Sequence, residues 1–327
     1  MIIVLAASLR IAYWLEVKNE AWFIAPGTDP EFYLNWGSDI LNDNAAQYIP
    51  FQRAPLYPYI VAGIQGLFGS SWLWLRLFNL LCDLMTIVLI FHIAVHIADR
   101  KTGIFAALIF SLSGASIYFT GEVLMTSLAT LCMTSIVYTL SSVKISNLFS
   151  RFIIAGIALG TMALLRPNIF VILPFTILYA YFMCHYHKKV TIRFIVPTLH
   201  LSAAVLILMP TTLINYHKTG RFIPVSTQGG VNFLIGNVRG ADGWSSTLPT
   251  AGSSWSNDNA IELASGFAGR DLAEADVSPV FWKMGLQEIA SDPLGWLRLM
   301  IKKALLFINV REIANNRPFL LPSESSS

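Results

Sequence analysis

The sequence predicts an all-α protein that crosses a membrane several times, and three observations predict it. Hydrophobic residues fill 55% of the 327 positions and charged residues only 13%, against roughly 25% charged in an ordinary soluble domain. Several uncharged runs reach the ~17–25 residues that a transmembrane helix needs. Mean hydropathy is +0.59, and one soluble core of this size could not hide so much apolar surface. The net charge of +3 is too small to argue for a nucleic acid partner.

The apolar segments run over 1–17, 56–68, 72–98, 102–120, 122–142, 152–166, 168–186, 192–216 and 294–310. The first lacks a basic leader and reads as a membrane helix whose start is missing rather than a signal peptide. The last reads as the start of a further helix, cut short before the tail Pro322–Ser327. The chain is thus expected to be a fragment at both ends. Segment 56–68 covers only ~20 Å at 1.5 Å per residue, short of a ~30 Å hydrocarbon core. The stretch 102–143 carries one charge, Glu122, and is too long for one span. Its polar cluster Ser113, Gly114, Ser116, Thr120 and Gly121 marks a turn, which puts Glu122 at a membrane surface. Arg166-Pro167 separates the next two spans in the same way.

Two polar regions interrupt the helices, 18–55 and 217–293. If 56–68 lies along the surface, six spans separate them and both fall on one side. Arg100, Lys101, Lys144, Arg151, Lys188, Lys189 and Arg193 then gather on the other, the cytoplasmic side by the positive-inside rule. This divides the chain into a transmembrane core (1–216), an external region (217–293) and the start of a further helix (294–327). Seven spans precede the large loop. No internal repeat is evident.

This topology collects ionisable residues on one face of the bilayer, where they are functional candidates by default. They are Asp29, Glu31 and Arg53 in the first loop, Arg76 near a helix end, Glu122 and Arg166 at turns, and Lys218 with Arg221 opening the second loop. A carboxylate can take the proton of an attacking hydroxyl, and cations can hold a phosphate as it leaves. Sugar transfer from a lipid-linked phosphate needs these parts beside a greasy groove.

Each residue also has a structural reading. Asp29 before Pro30 is a natural helix cap. Glu31 is favoured by the helix dipole in a first turn, and Tyr33 can be an interfacial anchor. Arg53 can anchor at headgroup level. Arg76, Asn79 and Asp83 share one helical face, where Arg76 could pair with Asp83. Arg166 can snorkel outward. His92 and His96, four apart with no Glu between, read as structural, and His185 and His187 as an interfacial cluster beside Lys188 and Lys189. Cys82, Cys132 and Cys184 sit in apolar runs without a CxxC and read as small buried side chains. Gly229, Gly230 and Gly236 read as turn residues. The stretch 240–276, poor in large apolar residues beyond Trp244, Trp255 and Phe267, reads as loop disorder.

An ordered series of motifs carries a resemblance. Thr28-Asp29-Pro30-Glu31-Phe32-Tyr33 follows the first helix. Then come Arg53-Ala54-Pro55-Leu56-Tyr57-Pro58, Leu67-Phe68-Gly69, Arg76 with Asn79, Glu122, and Arg166-Pro167. Asn215, Gly220, Gly229-Gly230-Val231-Asn232, Gly236-Asn237 and finally 293–302 complete it. In this order the chain resembles GT-C glycosyltransferases of family 39, the protein O-mannosyltransferase and aminoarabinose-transferase group. The resemblance implies a GT-C helical bundle with a juxtamembrane first external loop and a large second one. It implies inverting transfer from a polyprenyl-phosphate sugar to a glycan, lipid or protein acceptor outside the cytoplasm.

On this reading Asp29 or Glu31 is the base, Tyr33 orients a sugar, and Arg53, Arg166, Arg76 and Lys218 attend the phosphate. Glu122 contacts substrate, and Glu31 and Glu122 are candidate ligands of a divalent cation. Two rivals are a transporter or flippase of lipid-linked sugars and a non-catalytic partner-binding subunit. The one-sided charge and the lack of an inverted repeat argue against the first. The second predicts that Asp29 and Arg53 are dispensable.

Overall fold

A computed structural model of the chain describes residues 1–25, 27–141, 147–184, 190–249, 252 and 255–308. Lys144, His185, His187, Lys188, Lys189 and the tail 309–327 lie outside the described residues. The chain separates into two compact units, one of 1–49 with 54–217 and one of 50–53 with 218–327.

The first unit begins with α1 (Ile2–Val17), α2 (Ala21–Ile24), α3 (Asp29–Leu41) and a 3-10 turn (Ala45–Tyr48). It continues through α4 (Leu56–Phe68), α5 (Trp72–Ile97), α6 (Arg100–Ser111), α7 (Gly114–Gly121), α8 (Thr126–Ser141) and α9 (Leu148–Ala163). A 3-10 turn (Pro167–Val171), α10 (Leu173–Met183) and α11 (Ile192–Thr219) complete it. Among the described residues all regular structure is helical.

Among the described residues two helices, α5 and α11, are long and apolar enough to cross a membrane, and α6 with α7 makes a third if the pair, bent by 53°, counts as one span. The apolar helices α4, α8, α9 and α10 hold 10–17 residues. The expected seven full spans are therefore not all met by helix length. Polar breaks inside the apolar runs shorten the helices. The tract 102–143 breaks twice, at 112–113 and again at 122–125, rather than at one turn.

The central strut is α5, which packs on α1, α4, α6, α7 and α8. Its inward face carries Arg76, Asn79, Asp83 and Thr86, all buried, while Leu77, Leu81, Met85 and Val88 on the opposite face are exposed. That is the reverse of a soluble helix and suits a surround of lipid. The helices α9 and α11 approach through Gly156 and Gly160, a small-xxx-small pair of the kind that lets membrane helices meet backbone to backbone. A Cβ on Gly156 would lie 2.2 Å from the His200 carbonyl oxygen, and one on Gly160 2.7 Å from that of Ala204. His200 of α11, fully buried, ties that helix to α9 and α10, with Nδ1 2.9 Å from the Phe152 oxygen and Nε2 2.9 Å from Thr176 Oγ1.

The second unit corrects the expectation of a disordered loop. It folds as α12 (Gly229–Asn237), α13 (Asn257–Ala268), α14 (Glu274–Ser291) and α15 (Pro293–Phe307). Val231, Leu234, Leu248, Ala260, Ala264, Val277 and Phe281 form its core, with Trp255 packed against it. Small residues at the helix contacts made this core look sparse in the sequence. Gly230 is not a turn residue either. It lies in α12, where its Cβ would fall 2.2 Å from the Ser278 oxygen, so it sets how closely α12 meets α14. Residues 50–53 belong here because the Phe51 and Gln52 carbonyls accept from the Thr227 and Gln228 amides at 2.9 and 3.2 Å. The helix α15 covers part of the expected last membrane segment and carries Arg298, Lys302 and Lys303.

Candidate functional site

The acidic motif opens α3. Thr28 stands at its N-cap with φ 61° and ψ −130°, a left-handed backbone that a residue with a Cβ rarely adopts. Asp29 is the first helical residue, so it is not the cap that Asp-Pro suggested, and Pro30 and Glu31 follow in the first turn. Asp29 is half-buried and Glu31 exposed. The helix dipole favours both carboxylates there.

The body of α3 is held by aromatic packing against α4. Tyr33 is buried edge-on to Tyr57, with ring centroids 5.3 Å apart. Its ring is thus a core element rather than an interfacial anchor, because Tyr33 and Gly37, one turn apart, face α4. Trp36 stacks on Tyr48 at 4.6 Å, and the Tyr48 hydroxyl donates to Asp39 Oδ2 at 2.6 Å. Burial and that acceptor push the Tyr48 hydroxyl up to about 12.

A second cluster forms around the inward face of α5. Arg76 is buried, its guanidinium 3.4 Å from the centroid of the Phe23 ring. It donates to the Gly121 carbonyl at 2.9 Å and to the Phe23 carbonyl. Asn79, fully buried, donates from Nδ2 to the Glu122 carbonyl at 2.6 Å. Its Oδ1 is buried with no hydrogen-bond partner in the protein. Glu122 is 5% exposed and ends α7, so it belongs to the interior of the bundle rather than to an open turn. Arg76 therefore braces the first loop, six residues before Asp29, against the backbone beside Glu122.

Asp83 does not pair with Arg76. Its partner is Arg10 of α1, at 2.6 Å, a residue the sequence reading passed over. The signal was present, because Arg10 is a charge inside an apolar helix, the same reason that singled out Glu122. Arg166 is exposed at the start of its 3-10 turn. The Leu56 amide donates to the Leu164 carbonyl at 3.1 Å, which joins the end of α9 to the start of α4.

Arg53 and Lys218 lie in the second unit, Arg53 half-buried and Lys218 exposed. His92 and His96 are exposed on α5. The three cysteines are buried and unbridged. Among the described residues no group of three or more His, Cys, Asp or Glu side chains could hold a metal ion.

A family model described as dolichyl-phosphate-mannose-protein mannosyltransferase matches residues 52–214. The chain is a family 39-like GT-C protein. The match takes in Arg53, Arg76, Glu122 and Arg166, while Asp29, Glu31, Tyr33 and Lys218 lie outside it. No curated protein and no solved structure matches the chain. Its family is one of membrane glycosyltransferases that draw on polyprenyl-phosphate sugars, and its apolar helices are those of an integral membrane protein.

Proposed function

We propose that this protein moves a sugar from a polyprenyl-phosphate donor to an acceptor hydroxyl on the extracytoplasmic side of the membrane, with inversion. The observation that carries the reading is a half-buried carboxylate, Asp29, in the first turn of α3 directly behind a left-handed threonine. Backbone strain of this kind collects at functional sites. The acceptor oxygen attacks the anomeric carbon as Asp29 takes its proton. The bond from that carbon to the phosphate oxygen breaks, and the polyprenyl phosphate leaves with the electron pair. A single displacement from the opposite face inverts the anomeric centre.

Arg166, in the same unit as Asp29, is assigned to the phosphate. Arg76, whose donors go to two backbone carbonyls, is assigned to positioning, and Tyr33 likewise, since its ring packs on Tyr57. Glu122 is assigned to the sugar.

The test is transfer in liposomes from a panel of radiolabelled polyprenyl-phosphate sugars. Asp29→Asn is expected to lower kcat by about 10²–10⁴-fold, the usual worth of a general base. Unchanged transfer would move the base to Glu31. The anomeric configuration of the product, read by NMR, checks inversion.

A further inference from the structure

The tie between Arg10, Asp83 and Ser116 stands at an unusual place, the break between α6 and α7. A helix that stops in the buried interior of a bundle leaves backbone carbonyls without partners, and they must be satisfied by protein. Arg10 does this for α6. Its Nη1 donates to the carbonyl of Ser111, the last residue of that helix, at 2.9 Å, and to Ala6 at 3.1 Å. The break also sets two helix ends of opposite polarity side by side. The Arg10 cation lies at the negative end of α6. The Asp83 carboxylate lies at the first turn of α7, where Ser116 Oγ donates to Asp83 Oδ1 at 2.6 Å. Arg10 Nη2 donates to the same Ser116 oxygen at 2.8 Å, and Nε to Asp83 Oδ2 at 2.6 Å. Arg10 is fully buried and Asp83 4% exposed. The three side chains close a ring of hydrogen bonds that joins the two charges through Ser116.

The helix α7 has eight residues, too few to hold itself. Its place is set by what grips its ends. Asp83 and Arg10 grip Ser116 at the start. Arg76 and Asn79 grip Gly121 and Glu122 at the finish. Along α5 the grips at 83 and 76 are ~10 Å apart, and along α7 those at 116 and 121 are ~7 Å apart, so α7 runs antiparallel to α5 with both ends held.

We infer that Arg10 and Asp83 are positioning residues: their ion pair makes and holds the break between α6 and α7, and so sets where Glu122 stands. The link to Glu122 rests on the proposed role of that residue in the site. An ordinary buried pair can be exchanged for apolar groups at little cost. This one cannot, because the exchange also uncaps Ser111 and releases Ser116.

Two readouts on the full chain test this. In the first, nitroxide labels at Phe105 and Ala115, both exposed, report the bend by spin–spin distance. The double variant Arg10→Met/Asp83→Leu is expected to lengthen and broaden that distance, and an unchanged distribution overturns the inference. In the second, the same variant is assayed for transfer in liposomes. Its kcat should fall by about tenfold or more, as displaced site groups generally cause, with donor KM within about twofold of wild type.

Wild-type kcat in the double variant, with Glu122→Gln inactive, overturns the link to the site. If Glu122→Gln is itself fully active, the assignment of Glu122 fails, and the label distances still decide the break. Should the double variant not fold, Ser116→Ala carries both readouts. It keeps both charges and removes only their bridge, and it should broaden the label distance and lower kcat with KM unchanged. A Ser116→Ala protein identical to wild type in both overturns the inference.

Discussion

At the scale of single residues, Thr28 couples backbone strain to the carboxylate beside it. A threonine at φ 61° costs about 1–3 kcal/mol, and glycine would relieve it. Thr28→Gly is therefore expected to raise stability by about 1 kcal/mol, after the larger unfolded-state entropy of glycine is subtracted. If the strain serves to hold Asp29, kcat falls in the same variant. Thermal unfolding in detergent and the transfer assay read the two effects separately. A more stable protein with unchanged kcat would leave the strain without a part in the reaction. The aromatic grip on α3 predicts a milder effect nearby. Tyr48→Phe keeps the stack on Trp36 and loses the bond to Asp39, a loss of about 1.5–3 kcal/mol for a hydrogen bond to a charged group, seen as a lower melting temperature.

At the scale of elements, close helix contacts decide which glycines can change. Gly156→Ala drives a Cβ into the His200 carbonyl, so α9 and α11 must part, at a cost of about 1–3 kcal/mol. Gly230→Ala meets the Ser278 backbone in the same way and should loosen α12 from α14. Gly63 in α4 is the control, since a Cβ there meets nothing within 4 Å. Gly63→Ala should stabilise by about 0.5–1 kcal/mol through helix propensity alone. Melting temperatures of the three variants check the order. Equal effects at Gly156 and Gly63 would mean that α9 and α11 do not touch as described.

At the scale of the whole molecule, the distribution of charge predicts sidedness. Single cysteines placed at Glu31 and at Lys101, in a background with the three buried cysteines changed to alanine, should react with a membrane-impermeant maleimide from opposite faces of oriented vesicles. Labelling of both from one face would remove the extracytoplasmic assignment. The second unit predicts its own behaviour, because it has a separate core. Phe281 is fully buried in that core, and Phe281→Ala should cost about 3–5 kcal/mol. Protease should then cut first within 218–308 while the helices of 54–217 stay protected.

The sequence by itself determined the membrane class, the helical architecture and the bounds of a few helices, α1, α4 and α5 among them. Hydropathy, chain breaks at proline and glycine, and the length of an apolar run are local quantities, and local quantities survive reading in one dimension. The segments 56–68 and 72–98 reappear as α4 and α5 almost residue for residue. The shared face of Arg76, Asn79 and Asp83 was also legible, because helical period alone fixes it.

Only the tertiary structure decided partners. Arg10 and Asp83 are 73 residues apart in the chain, and no spacing rule links them. Arg76 was free to choose Asp83 by sequence and is instead held by the carbonyls of Gly121 and Phe23. The core of the second unit was hidden for a related reason. Its helices meet through glycine and alanine, so close approach rather than side-chain bulk fills the space between them, and composition cannot register an approach.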